Sequence, residues 1–205
     1  MGKRLGIPAD MTPTVDNVLT TYYSAEDDEL AAGMTWYATA HGIALELEPD
    51  DVRIGAGVLA ALSPQTAWGE RKGENIELAR RAFKEGKATG HTGDACRKAT
   101  AILSHWRDPE DVLGGFKVRN FYAAIVDPQS ETAVCIDRHA FDIAVGRVTD
   151  NGTRKTLERV GVYETFADIY RQAAAIIGAT PAQVQAVTWL AWRRAKGIVD
   201  PEGRP

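Results

Sequence analysis

The sequence predicts an all-α protein. Apolar residues recur at the 3.6-residue spacing of amphipathic helices along most of the 205-residue chain. Capping residues, prolines near helix starts and glycines after helix ends separate these stretches. The one strand-like stretch, residues 133–136, is too short and isolated to make a sheet. We therefore expect about nine or ten helices and no sheet.

Two helices are predicted at the start of the chain. The first begins after Pro13, and its apolar residues keep helical spacing: Val15, Val18, Leu19 and Tyr22. The second follows residues 24–27, whose Ser-Ala-Glu-Asp sequence resembles a capping box, and its pattern continues to Leu45. We expect these helices, within residues 14–48, to pack with the C-terminal helices, within residues 157–197.

A central helical lobe is expected over residues 49–146. Pro49 is interpreted as the N1 residue of a nearly apolar helix over residues 52–62, which Ser63-Pro64 ends. An amphipathic helix over residues 74–83 then stops at Gly86.

The next predicted helices lead to a helical hairpin. One helix covers residues 95–106, and the Asp-Pro pair at residues 108–109 starts the short first arm of the hairpin. The second arm covers residues 118–126. Asp137 or a neighbour caps the helix that follows, which runs to about Gly146.

The chain is expected to close with two long helices. Residues 147–156 are the most loop-like interior stretch. An apolar stripe over residues 163–177 stops at Gly178, and a Thr-Pro-Ala-Gln capping box at residues 180–183 opens the last helix, which runs to Gly197. The whole chain is thus interpreted as a single helical unit, residues 1–205.

Composition excludes several classes of protein. There are only two cysteines and four scattered histidines, with no CxxC or HExxH spacing, so we predict no metal site and no cofactor. No apolar run reaches the roughly 20 residues of a membrane span, and no signal-peptide pattern opens the chain. We expect a cytoplasmic, intracellular monomer without a membrane partner.

Charge is distributed unevenly along the chain. The net charge is −4, yet residues 71–119 carry eleven Lys/Arg against seven Asp/Glu, and residues 147–205 carry nine against six. Residues 1–51 have two basic residues against ten acidic ones. Local potential matters more than the sum, so a basic surface that binds nucleic acid is compatible with this acidic chain.

The hairpin and the segment after it contain the residues best suited to chemistry. Residues 113–116 form a Leu-Gly-Gly-Phe turn between two helices, followed at once by Lys117. Backbone N–H groups at such a turn suit a phosphate. Asp137 follows Lys117 by twenty residues, at the end of the apolar run 134–136. A lysine and a carboxylate can act as nucleophile or general base; the alternative is a surface lysine and an N-capping aspartate.

These residues resemble the core of the helix-hairpin-helix DNA glycosylases, the superfamily of endonuclease III and oxoguanine glycosylase. In that superfamily a hairpin of the form L-P-G-x-G-x-K-x-A is followed by a V-D-x-H motif, which Ile136-Asp137-Arg138-His139 resembles. Residues 60–66 (AALSPQT) are similar to an early L-S-x-Q-x-T turn, and residues 187–194 (VTWLAWRR) to a late Trp-bearing helix.

The resemblance implies a fold, a substrate and roles for particular residues. The fold would be two-lobed and all-α, with a helix-hairpin-helix motif and the DNA cleft between the lobes. The partner would be duplex DNA with a damaged or modified base, flipped out of the stack. Asp137 would be the catalytic carboxylate and Lys117 the amine nucleophile of bifunctional members. The residues assigned to DNA contact are Gln65, Lys98, Gly114, Gly115, Arg119, Arg138 and His139.

The hairpin departs from the superfamily pattern. Leu113 and Lys117 are two residues closer than in the family motif, and the proline is missing. If the amine still reaches the pocket, borohydride should trap a covalent adduct with DNA, which is the outcome we expect; if not, Lys117 is a phosphate contact and Asp137 activates water. Base excision is the leading function. A transferase of the same fold acting on a modified DNA base and a non-catalytic DNA-binding module remain alternatives.

Overall fold

The protein is all-α, as the sequence predicts. A computed structural model describes Ile7, residues 11–159 and residues 161–198, and these residues form α-helices without any β-strand. None of the helices in this described part of the chain is both long and apolar enough to cross a bilayer. The helices are α1 (Val15–Tyr23), α2 (Asp27–Leu47), α3 (Val52–Ala61), α4 (Asn75–Glu85), α5 (Gly93–Leu103), α6 (Pro109–Val112), α7 (Phe116–Val126), α8 (Arg138–Val145), α9 (Asn151–Arg154), α10 (Val162–Ile177) and α11 (Pro181–Ala195).

The chain divides into two compact units. We call residues 1–37 with 129–205 the terminal unit, and residues 38–128 the middle unit. In the terminal unit α1 packs on α8, α10 and α11. The segment with Asp137 belongs to this unit. The central lobe expected from the sequence, residues 49–146, contains that segment together with the hairpin.

Several predicted helix ends are confirmed. The Asp137 side chain caps α8, and Gly146 ends it in the left-handed conformation, with φ +83°. Gly86 and Gly178 end α4 and α10 in the same way. Thr180 and Gln183 form the predicted capping box of α11, in which each side chain accepts a backbone hydrogen bond.

Other predicted boundaries are wrong. Asp51, not Pro49, starts α3, because its carboxylate accepts from Arg53 N–H at 2.9 Å. Ser24 does not open α2; it follows the end of α1 and donates its hydroxyl to the Thr21 carbonyl.

Residues 147–156 are not a plain loop. They contain α9 and the start of a 3-10 helix, Lys155–Glu158. The buried Asp142 carboxylate organises this stretch by accepting from the Thr149 hydroxyl at 2.6 Å and from Arg154 Nη2 at 2.6 Å. The loop prediction used only the local residue pattern, and that pattern does not reveal the ion pair between Asp142 and Arg154.

The terminal unit has an aromatic and aliphatic core beneath α8 and α10. Phe141 and Phe166 stack with ring centroids 4.4 Å apart, and both are fully buried with Tyr170. Val18 of α1 and Val184 of α11 complete the cluster. Burial of such side chains contributes roughly 1.5–3 kcal/mol each, so this core fixes the start of α8 and hence Asp137.

The middle unit is packed around a helix of small residues. Buried α3 has the sequence Val-Arg-Ile-Gly-Ala-Gly-Val-Leu-Ala-Ala and contacts α5 and α7. A methyl group on Gly55 would lie 2.1 Å from the Ala44 carbonyl oxygen, and one on Gly57 would lie 2.9 Å from Pro109. Glycine is therefore required at Gly55 by the close approach of the backbone at Ala44, and at Gly57 by the side chain of Pro109.

Candidate functional site

Asp137 is anchored through one carboxylate oxygen. Its Oδ1 accepts from the N–H groups of His139 and Ala140, at 2.9 and 2.8 Å. No hydrogen bond from the described residues falls on Oδ2, and the side chain is half-buried. An N-cap holds the carboxylate in place through Oδ1, and the second oxygen keeps its capacity to accept a proton or a hydrogen bond.

Helix α10 braces the extended segment that leads to Asp137. The Tyr163 hydroxyl donates to the Val134 carbonyl and accepts from Ile136 N–H, both at 2.9 Å. Arg171 Nε donates to the Thr132 carbonyl at 3.0 Å. These side-chain bonds replace those that a neighbouring strand would supply, which explains how the strand-like residues 133–136 remain buried without a sheet.

A polar and aromatic cluster adjoins Asp137 on α8 and α11. His139 is 8% exposed and meets Trp189 edge-on, with ring centroids 6.3 Å apart. The guanidinium of Arg193, 6% exposed, lies 4.2 Å from the centroid of the Trp189 ring. Arg138 is exposed and donates from Nε to His139 Nε2 at 3.1 Å. The three predicted residues of the D-x-H element therefore lie together.

Burial lowers the pKa of His139, and the positive charges of Arg138 and Arg193 lower it further, while Asp137 acts in the opposite direction. The same aspartate also acts on Tyr37. Burial raises the pKa of Tyr37 well above its usual value, with smaller contributions from Cys135 and Asp137. Both rings are therefore uncharged at neutral pH, and the charges of the cluster are those of Arg138 and Arg193.

Tyr37 forms a second buried polar contact in the same unit. Its hydroxyl donates to Gln185 Oε1 at 2.9 Å, and both side chains are buried. A buried pair of this kind is stable only when its hydrogen bond is made. Tyr37 on α2 is thereby tied to α11.

The predicted glycine turn between two helices lies in the middle unit. Residues 113–115 connect α6 to α7, and Gly115 starts α7 with φ +75°, a conformation that favours glycine. No side chain caps α7. Arg119 stabilises the turn, because its Nε donates to the Leu113 carbonyl at 2.8 Å. The first turn of α7 thus keeps its backbone N–H groups without a side-chain cap.

Lys98 lies beside the hairpin. A methyl group added to Gly114 would come within 4.0 Å of Lys98 Nζ, and that amine pairs with Asp94 at 2.7 Å. Both residues line a cavity of about 90 Å³, and so does Pro64 in the turn that contains Gln65. Three separately predicted pieces, namely the early turn, Lys98 and the hairpin, therefore converge in one unit.

Gln65 and Lys117 are both exposed. Gln65 has φ +65°, a conformation that costs a non-glycine residue of order 1–3 kcal/mol. Lys117 stands in the first turn of α7 with no ion pair or hydrogen bond to any described residue. Nucleophilic lysines are activated by burial in an apolar pocket, and the Lys117 side chain is exposed. It belongs to the middle unit and Asp137 to the terminal unit.

Sequence reasoning did not find Arg193, Tyr37 or Gln185. Trp189 and Arg193 are separated by four residues on α11, so they share a helix face, and this spacing is the signal that was available. Tyr37 and Gln185 are 148 residues apart, and no local pattern connects them. No group of three His, Cys, Asp or Glu side chains in the described ranges is arranged to hold a metal ion.

Comparison with known proteins gives a family and no activity. No curated protein and no solved structure matches the chain. Residues 5–196 match the model of a family of unknown function, DUF7178. That match covers most of the 205 residues, and the chain therefore belongs to the DUF7178 family.

Proposed function

We propose that this protein is a DNA base-processing enzyme that cleaves the N-glycosidic bond of a damaged or modified base. The observation that carries the proposal is the state of Asp137: one oxygen is fixed by backbone N–H groups, and no described residue engages the other. Exposed Arg138 and neutral His139 adjoin it. A carboxylate held in this way is suited to proton transfer or charge stabilisation at a sugar.

The reaction follows from ordinary glycoside chemistry. The bond between C1′ and the base nitrogen breaks, and the base leaves with the bonding electrons and takes up a proton from water. Positive charge develops on the sugar, where the Asp137 carboxylate stabilises it. Water adds its oxygen to C1′ and gives its proton to the carboxylate, which then returns it to solvent. The products are a free base and an abasic sugar.

Binding is assigned to the middle unit. The hairpin glycines Gly114 and Gly115, with Lys98 and Lys117, supply backbone N–H groups and cations for phosphates. Exposed Gln65 on its left-handed turn is assigned to the gap left by the flipped base. Arg119 supports the hairpin from within, because its guanidinium already bonds Leu113.

The exposure of Lys117 favours water over an amine as the nucleophile. A nucleophilic lysine is activated by an apolar, desolvating pocket, and the exposed side chain of Lys117 does not lie in one. We therefore assign Lys117 to phosphate contact, which was the alternative to the adduct expected from sequence. Excision by this route leaves an abasic site without a covalent protein–DNA adduct.

A modified-base panel tests the proposal. Wild-type protein is incubated with duplexes that each carry one modified base, and free bases and digested nucleosides are measured by mass spectrometry. Release of one base by wild type, lost in Asp137→Asn, supports excision. A mass gain on a retained nucleoside would replace excision by group transfer. Binding of every duplex with no change in any nucleoside would replace both by a non-catalytic binding role.

A matched pair of glycine variants tests the binding assignment. Gly115 and Gly86 both have positive φ, +75° and +70°, and a methyl group at either meets nothing within 4 Å. Alanine should destabilise the fold at both positions, and more at Gly115, whose ψ of 141° lies outside the left-handed helical region that Gly86 occupies with ψ 8°, so binding is compared where both variants are folded. Gly115→Ala should also weaken duplex binding, whereas Gly86→Ala at the end of α4 should not. Equal affinities of the two variants for duplex DNA would remove the hairpin from the interface.

A further inference from the structure

The hydrogen bond between Arg138 and His139 has a fixed direction. Arg138 Nε lies 3.1 Å from His139 Nε2. A guanidinium has no acceptor, so the arginine donates and the ring nitrogen accepts. His139 Nε2 therefore carries no proton, and the ring is the neutral tautomer with its proton on Nδ1. One contact thus sets both the tautomer of the histidine and the position of the arginine.

The charges around His139 oppose its protonation. Burial is the largest cause that lowers its pKa, and Arg138 and Arg193 lower it further. Asp137 and Asp142 act in the opposite direction. Asp142 is already engaged by Arg154. A proton on the ring would abolish the acceptor of the Arg138 bond and place a third positive charge beside two arginines.

Apart from Arg193 of α11, the described contacts that α1, α10 and α11 make with α8 are uncharged. Tyr170 of α10 donates its hydroxyl to the Ala140 carbonyl at 3.0 Å, and burial raises its pKa, so it stays neutral. Asn17 of α1 bonds the Ala144 carbonyl, at the far end of α8. Trp189 of α11 contacts the ring edge-on. The balance of charge at His139 is therefore set by the two arginines and the two aspartates.

We propose that Arg138 is a phosphate-binding side chain held in place by the neutral ring of His139, so that acid releases DNA from this site when the ring takes up a proton. The proposal rests on the proposed function, because the phosphate is that of the DNA substrate. Arg138 is exposed and directly follows Asp137, and phosphate contacts are what position a sugar for reaction. His139 is a positioning residue here.

A protonated ring also attracts phosphate, and this effect must be compared with the loss of the arginine. His139 is buried, so its charge acts on DNA only from a distance. The arginine makes direct, charge-assisted hydrogen bonds, which are the stronger interaction. Loss of the positioned arginine therefore outweighs the added charge.

Four proteins separate these effects: wild type, Arg138→Gln, His139→Gln and His139→Leu. Binding to a short unmodified duplex is measured against salt at about pH 7.5 and at a pH below the midpoint of the His139 titration. Glutamine at 139 keeps a neutral acceptor for Arg138 and does not titrate. His139→Gln should therefore match wild type at the higher pH and bind roughly tenfold more tightly than wild type at the lower pH. Lys155→Gln, which removes an exposed cation elsewhere in the terminal unit, is the control.

Arg138→Gln and His139→Leu should have the same affinity for the duplex as each other at each of the two pH values. Each should reduce the slope of log affinity against log salt by about 0.9, the value for one phosphate contact. Lys155→Gln should leave the slope unchanged. An unchanged slope in Arg138→Gln, or the same pH response in wild type and His139→Gln, would overturn this inference and leave the proposed function intact. Wild type that binds no duplex at either pH would overturn both.

Nuclear magnetic resonance tests the proposal on the wild-type protein, without any substitution. The nitrogen shifts of the His139 ring should report the Nδ1–H tautomer, and the ring should titrate below the ordinary histidine value of about 6.5. The Arg138 Nε resonance should shift with the same midpoint. An Nε2–H tautomer of His139 would overturn the proposal even if every variant failed to fold. An Arg138 resonance that does not shift as His139 titrates would also overturn it.

Discussion

The terminal and middle units are stabilised in different ways. Of the nine buried polar residues in the described part of the chain, only Asn75 belongs to the middle unit. The other eight lie in the terminal unit: Glu29, His139, Asp142, Thr149, Thr156, Gln185, Thr188 and Arg193. Buried polar groups are costly unless each finds a partner, so the terminal unit depends on specific hydrogen bonds.

The middle unit depends on close backbone packing instead. Its central helix α3 is built from small and aliphatic residues, and its ion pairs, such as Arg53 with Asp108 and Lys98 with Asp94, stand at the surface. The difference between the two units parallels the proposed division of labour. Polar burial surrounds the candidate catalytic carboxylate, and a tightly packed scaffold holds the hairpin that we propose for DNA binding.

The comparison predicts the largest loss of stability at Asp142. Asp142 is 2% exposed and pairs with Arg154, so Asp142→Ala leaves a partly buried guanidinium and the Thr149 donors without their acceptor. Removing one partner of a buried pair costs about 3–5 kcal/mol. Urea unfolding measures this loss. The control Asp94→Ala removes an exposed ion pair and should leave the unfolding midpoint unchanged. Equal effects of the two variants would contradict the contrast between units.

The middle unit should respond most strongly to added volume. Gly55→Ala places a methyl group against the Ala44 carbonyl and should destabilise the protein by about 1–3 kcal/mol or more, because backbone must move. Gly42 in α2 has nothing within 4 Å of the added methyl group. Gly42→Ala should therefore stabilise the helix, by up to about 1 kcal/mol. Thermal unfolding of the pair tests this prediction, and a stable Gly55→Ala protein would refute it.

Tyr163→Phe removes a hydroxyl that serves two backbone groups. The Val134 carbonyl and Ile136 N–H each lose the hydrogen bond to this hydroxyl, at a cost of about 1–3 kcal/mol. Hydrogen exchange should show increased opening at the Ile136 amide. Tyr23→Phe, on a side chain that is 69% exposed, is the matched control and should change nothing. Unaltered protection of Ile136 would mean that α10 does not brace this segment.

Lys117→Gln should have the smallest effect on stability. The side chain is exposed and makes no bond with the described residues, so the unfolding free energy should not change. The salt slope of duplex binding should fall by about 1 as one phosphate contact is lost. Borohydride should trap no adduct with either wild type or variant. A trapped adduct that Lys117→Gln abolishes would restore the amine as nucleophile.

Local signals in the sequence predicted much of the fold. Asp137, Gly146 and Gly178 sit at helix ends because capping chemistry is local and visible in sequence. The capping box of α11 was predicted for the same reason. The structure of residues 147–156 was not predicted, because it depends on the Asp142–Arg154 pair, a tertiary interaction.

The residues of the candidate site likewise divide into those that the sequence predicted and those that it did not. The D-x-H element was found because its three residues are adjacent in sequence. Arg193 and Tyr37 were missed because their roles depend on burial and on partners distant in the chain. The exposure of Lys117 could not be predicted either, since its separation from Asp137 in the sequence carries no information on desolvation.

The central claim is that the Asp137 carboxylate performs the chemistry, and Asp137→Asn tests it most directly. Asparagine is nearly isosteric and keeps an oxygen that can cap α8, so fold and duplex binding should be retained. Base release from the duplex that wild type processes should fall by about 10²–10⁴-fold, the usual contribution of acid–base catalysis. A folded, DNA-binding Asp137→Asn protein that releases the base at the wild-type rate would contradict the account.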